Sequence, residues 1–303
     1  MAHVRANSLE FEYDTFGDPA AAPLLLIMGL GAQMIAWDEE FCELLAGRGF
    51  HVVRFDNRDS GLSSALDHLP VPDPLAVMAG EVRPPYTLED MAADAAGLLE
   101  ALGIPSAHVV GASMGGFIAQ IMAIEHPERV LSLTSIMSGP GGMRDNVHGT
   151  PEATAVLTQR PPSDREGMIE HGVRVSRVLW GVHFDEEEAR RRHTRAVDRA
   201  VHVEGTQRQL AAIAAASSRV EALGRLRIPA LVVHGEADPL LPAENGRRTA
   251  AAIPGARLLL LPTMGHDLPR VYWTPIVDAI AETAARADAR IPPRAGGPAA
   301  PGS

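Results

Sequence analysis

The chain has no lysine: all 27 of its basic side chains are arginine. That absence excludes chemistry. No P-loop lysine can meet a nucleotide phosphate, no lysine amine can form a Schiff base, and a serine-lysine dyad cannot be built. Cysteine is nearly absent too. Cys42 is the single thiol, so neither an internal disulfide nor a cysteine-built metal site is possible. It lies in a helical apolar pattern with Trp37, Phe41, Leu44 and Leu45, and reads as a small core residue. Long hydrophobic runs are missing as well. The most apolar stretch, Pro23 to Ile35, is too short and too glycine-rich to span a bilayer. Residues 1–14 lack the basic-then-apolar pattern of a signal peptide, so a soluble, cytoplasmic protein is the expectation. None of the twelve histidines falls in an H-E-x-x-H or similar ligand pair, so no metal is expected and no cofactor is implied. Positive charge is outnumbered, for a net charge of −11. An acidic surface repels phosphate backbones and anionic lipid heads, so neither a nucleic-acid partner nor membrane insertion is expected.

What is present suits one large sheet domain with an insertion. The chain has 303 residues, and 46% of them are hydrophobic, enough for a sizeable core. No internal repeat is visible. Leu9-Glu-Phe-Glu-Tyr13 alternates like a half-exposed strand. Leu24 to Met28 and His51 to Phe55 are short apolar runs, as buried parallel strands are. Trp37 to Arg48 reads as a helix between them. A proline-rich loop from Leu62 to Tyr86 follows, long enough to suggest a functional or mobile segment. Thr87 opens the next helix with Asp90 in capping-box spacing, and Gly103 closes it.

After His108-Val-Val-Gly111, a helix runs from about Met114 to His126, and Val130 to Met137 is the next strand. Strands alternating with helices build right-handed βαβ units and a mostly parallel sheet with helices on both faces. Strand signals then stop until Ala230 to His234 and Arg257 to Leu261. Three helices are expected in between, near 163–180, 185–202 and 206–219. The division is therefore a core over 1–137, a helical cap inserted at 138–225, the rest of the core over 226–290, and a disordered Pro/Gly/Ala-rich tail at 291–303. A last helix is expected from about Tyr272 to Ala289.

The chemistry centres on Gly111-Ala112-Ser113-Met114-Gly115, a G-x-S-x-G string. The string alone recurs by chance; a strand before it and a helix after it make it a nucleophile elbow. Small residues two positions either side of the serine let the turn close. A serine hydroxyl needs a base, and the base needs an orienting acid. Asp238 stands just past the strand ending at His234, and His266 just past the next strand, so both fall beyond strand C-termini on the edge that carries Ser113. Glu236 and Asp267 are rivals for the acid position; Asp267 adjoins the histidine in sequence, where geometry for a bond to Nδ1 is poor. The oxyanion donors are expected to be the backbone N–H groups of Met114 and of Leu30, in the loop Met28-Gly-Leu-Gly31. Met28, Leu179 and Trp180 are candidates for the substrate pocket, and Trp37, close behind the oxyanion loop, either lines it or belongs to the core. Asp185 to Arg195, with three glutamates each four residues before an arginine, reads as a solvated, self-paired helix face.

Taken as a set, the elbow, the Met-Gly-Leu-Gly loop, Asp56-Asn-Arg-Asp-Ser-Gly61, Asp238 and Met264-Gly-His266 resemble the α/β-hydrolase superfamily, over about residues 8–288. Met28 stands where that family commonly has histidine, and Asp59 where it commonly has glycine. Both variants resemble the aclacinomycin methylesterase branch. The resemblance implies an α/β-hydrolase fold and cleavage of a methyl ester on a bulky hydrophobic natural product. Perhydrolysis, lactone opening and thioester cleavage by the same triad remain alternatives, as does a member that only binds a small ligand. Oligomeric state is not readable from the sequence.

Overall fold

The computed structural model describes residues 1–289, and the tail expected to be disordered lies outside the described residues. The apolar runs do become strands: β1 (Ala2–Ala6), β2 (Leu9–Phe16), β3 (Ala22–Ile27), β4 (Phe50–Phe55), β5 (Ala107–Ala112), β6 (Val130–Ile136), β7 (Ala230–Gly235) and β8 (Arg257–Leu261). They form one eight-stranded sheet in the order β1-β2-β4-β3-β5-β6-β7-β8. β2 runs antiparallel to β1 and β4, and every other neighbouring pair is parallel.

Alternation along the strands assigns side chains to two faces. Leu25, Ile27 and Val109 pack on one side against α3 (Leu88–Ala101) and α4 (Met114–Glu125), through Leu98, Leu99 and Ile118. Leu24, Leu26 and Val110 pack on the other against α1 (Glu39–Ala46) and α11 (Trp273–Asp288), through Phe41, Ile276 and Ile280. With both faces covered, β3, β5 and β7 read as near-continuous apolar runs, broken by His108 in β5 and His234 in β7, instead of alternating with polar residues. Each fully buried leucine here contributes about 1.5–3 kcal/mol of transfer free energy. Cys42 is buried in the second cluster, and burial pushes its thiol up to about 12, as a core residue requires.

Sequence patterning missed the short elements. β1 has mixed polarity because it is an exposed antiparallel edge strand. α2 (Pro74–Ala79) interrupts the proline-rich loop, capped by Asp73 with Pro74 in its first turn. α10 (Ala243–Ala252) joins β7 to β8. Between β6 and β7 lie five helices: α5 (Pro151–Thr158), α6 (Arg165–Leu179), α7 (Glu186–Arg199), α8 (Val203–Ala215) and α9 (Val220–Leu223). Three correspond to the expected ones. α5 is short, and α9 is a single turn whose Leu223 joins the main core.

The charged face of α7 is less self-contained than its spacing suggests. Glu188 does pair with Arg191 and Arg192, but Arg190 reaches Glu166 and Glu170 on α6, and Glu186 holds Arg177. The ion pairs stitch two helices of the insertion together. No helix among the described residues is long and apolar enough to cross a membrane.

Candidate active site

The turn from β5 into α4 sets Ser113 at φ +55°, a strained angle for a residue with a Cβ. A Cβ on Gly111 would run into the Gly115 carbonyl, and one on Gly115 into the Ile27 carbonyl, so neither position admits a side chain. The strain is held by the Ser113 N–H donating to the Ile136 carbonyl at 2.9 Å and by the Ser138 hydroxyl donating to the Ser113 carbonyl at 3.0 Å.

Three side chains from three strand ends converge here. Ser113 Oγ lies 2.9 Å from His266 Nε2, and His266 Nδ1 lies 2.8 Å from Asp238 Oδ2. Asp238 Oδ1 accepts the N–H groups of Leu240 and Leu241, both at 2.9 Å. A carboxylate can only accept, so Nδ1 carries the histidine proton and Nε2 is left free to accept the serine hydroxyl. Burial alone would raise the Asp238 pKa, but His266 and His234 beside it hold it well below the usual carboxylate range. Asp238 therefore stays ionised opposite His266 Nδ1.

The rivals for the acid position lie elsewhere. Glu236 is exposed and pairs with Arg247. Asp267 is buried beside His266, and its Oδ1 has no hydrogen-bond partner. Burial pushes the Asp267 carboxyl up to about 7, against the pull of His266.

Met114 is the first residue of α4, so its N–H has no carbonyl one turn earlier to bond. In the loop after β3, the Gly31 N–H donates to Gln209 Oε1 at 2.8 Å and the Ala32 N–H to the Gly29 carbonyl at 3.2 Å. The Leu30 N–H makes no such bond, and Leu30 lines the same cavity as Ser113 and Met114.

That cavity measures about 710 Å³ and lies between the sheet edge and the helical insertion. Met28, Met114, Met137, Met143 and Met168 line it, a polarisable surface that adapts to irregular ligands. Leu179 and Trp180 line it from the insertion. Trp37 does not. It is buried in the core under the loop, stacked on Phe41 with ring centroids 5.6 Å apart. The spacing that placed it near the loop also placed it on the inward face ahead of α1.

A family model described as the alpha/beta hydrolase fold matches residues 22–269. The chain belongs to the α/β-hydrolase family. Among its relatives is a rhodomycin D methylesterase of Streptomyces sp. (strain C5), 34% identical over 291 residues, which cover 87% of this chain and 91% of that one. A second rhodomycin D methylesterase, of Streptomyces peucetius, is 33% identical over 285 residues, with the same coverage. The fold is similar to a meta-cleavage product hydrolase of Pseudomonas fluorescens, with TM-score 0.76 at 20% identity over 95% of this chain and 98% of that one.

For an α/β hydrolase, one of the two departures in its motifs has a local explanation. Asp59, at φ +63° where the family commonly has glycine, accepts both Nε and Nη2 of Arg208 at 2.8 Å, and the Tyr86 hydroxyl also at 2.8 Å. At the other departure, Met28 keeps its carbonyl tied to Asn57 Nδ2 at 3.0 Å. Sequence reading assigned no role to two further residues. His234 is wholly buried behind Asp238, its Nε2 donating to the Leu241 carbonyl at 2.7 Å and standing 3.5 Å from Asp238 Oδ2. Gln209 is a buried amide in an alanine-rich helix, with no motif around it to draw notice.

Proposed function

We propose that the chain hydrolyses a carboxylic ester of a bulky hydrophobic small molecule through an acyl-enzyme on Ser113. The observation that carries the proposal is the unbroken chain of hydrogen bonds from Ser113 through His266 to Asp238, opening on the apolar cavity. His266 Nε2 takes the serine proton as Oγ attacks the ester carbonyl. The imidazolium formed is stabilised by ionised Asp238. The carbonyl oxygen becomes an oxyanion and accepts the N–H groups of Met114 and Leu30. His266 then returns the proton to the departing alkoxide, and the alcohol leaves. Water, deprotonated by the same histidine, attacks the acyl carbonyl, and the second tetrahedral intermediate collapses to the acid and free Ser113.

The relatives named as rhodomycin D methylesterases support a methyl ester on a large natural product as the substrate class. A 710 Å³ cavity with a methionine-rich lining agrees with that size and polarity. The insertion over 138–225 acts in this reading as a cap that keeps the acyl chemistry away from bulk water. Hydrolysis of p-nitrophenyl butyrate by the wild type and by Ser113→Ala tests the proposal. Loss of about a thousandfold or more in the variant supports it. Equal activity in both removes Ser113 from the mechanism.

A further inference from the structure

The helical insertion does more than cover the cavity. Gln209, on α8, is wholly buried and uses both ends of its amide on the core. Its Oε1 accepts the Gly31 N–H at 2.8 Å, and its Nε2 donates to the Arg58 carbonyl at 2.8 Å. Gly31 directly follows Leu30. Swapping the amide ends would face oxygen to oxygen and N–H to N–H, so the side chain has one orientation here. Gly31 is also at φ +64°, and a Cβ on it would meet Thr206 on the same helix. One side chain of the insertion thus fixes the peptide next to the Leu30 donor and ties it to the loop carrying Asp56 to Gly61.

We infer that Gln209 is a positioning residue for the oxyanion hole, so that seating the insertion on the core and aiming the Leu30 N–H are one event. The inference rests on the ester-hydrolase reading of Ser113. A preorganised donor stabilises charge that exists only in the transition state. Gln209 touches no substrate in this account. Losing its bonds lets the loop drift and lowers kcat while leaving ground-state binding in the cavity alone.

The test compares wild type, Gln209→Met and Gln209→Glu. Methionine keeps the volume and removes both hydrogen bonds, while glutamate keeps an acceptor for Gly31 and, protonated as burial favours, an O–H donor for the Arg58 carbonyl. For Gln209→Met, kcat for p-nitrophenyl butyrate falls about tenfold to a hundredfold, less than deletion of a whole donor costs, and KM stays within about twofold. Affinity for butylboronic acid, whose tetrahedral adduct on Ser113 puts an oxygen in the hole, falls by the same factor as kcat/KM. Gln209→Glu recovers part of the loss. A rise in KM with kcat unchanged, or a loss fully accounted for by unfolded protein, overturns the inference. Amide hydrogen exchange on the wild type gives a reading without a variant. Protection of Gly31 in the free enzyme, and of Leu30 only in the boronate adduct, is expected; an unprotected Gly31 contradicts it. Wild-type turnover lost in Ser113→Ala judges the ester-hydrolase reading separately, because that ratio does not involve Gln209.

Discussion

The carbonyl oxygen of Leu179, at the end of α6, accepts the backbone N–H of His266 at 2.7 Å. The insertion therefore grips the loop carrying His266 as well as the loop carrying Leu30 and Gly31. Between them stands Gly265, where a Cβ would run into that same Leu179 carbonyl. Gly265→Ala forces the helix end and the histidine loop apart. The expected result is a fall in kcat/KM of tenfold or more, with a loss of about 1–3 kcal/mol in stability from overpacking. Steady-state kinetics and urea denaturation measure both, and an alanine variant with wild-type kinetics would falsify the claimed contact.

Asp238→Asn preserves the shape of the acid but not its charge. The imidazolium loses its partner, and an asparagine N–H2 can force the wrong histidine tautomer. By analogy with other serine triads, kcat should drop about 10⁴-fold. Asp267→Asn should leave kcat within about tenfold. If the two variants exchange these effects, the acid has been misassigned.

Asp267 yields a pH signature in stability. Its folded pKa, raised to about 7, exceeds the unfolded value near 3.9, so the folded protein holds the proton more tightly. Such a group weakens folding as pH rises from about 4 to about 7 and adds no further change above that. Asparagine removes the dependence. The stability of Asp267→Asn relative to wild type should therefore climb across that window, by at most about 1.4 kcal/mol per pH unit, then level off. Chemical denaturation at pH 5, 6, 7 and 8 reads the difference. A constant difference at every pH would contradict it.

Much of the site was legible because its parts follow strand ends in a fixed order. The strand before Ser113, the helix after it, and the loops of Asp238 and His266 are each local patterns, and the parallel sheet brings them together. What stayed hidden depends on contacts between distant residues. Arg208 lies 149 positions from Asp59, and Gln209 lies 178 from Gly31. No spacing rule links such pairs. Trp37 shows the converse: it is near the site in sequence, and packing turns it into the core, the second of its two expected places. Short elements such as α5 and β1 lack enough residues for a periodicity to emerge.

The Asp59–Arg208 pair makes a prediction of its own. Both residues are about 1% exposed. Removing one partner leaves a buried charge without its counterion, so Arg208→Met should destabilise the fold by about 3–5 kcal/mol. Adding Asp59→Gly removes the orphan charge and relieves the positive φ. The double variant should then recover much of that stability. A double-mutant cycle with additive losses would show that the pair is not coupled.

The most direct test of the central claim is rapid acid quench during hydrolysis of p-nitrophenyl butyrate, followed by peptide mass spectrometry. The account predicts a butyryl group on Ser113 in the peptide spanning Gly111 to Gly115, and none in Ser113→Ala. Sustained turnover with the acyl group on another residue, or with no acyl-enzyme and an undiminished rate in Ser113→Ala, would contradict it.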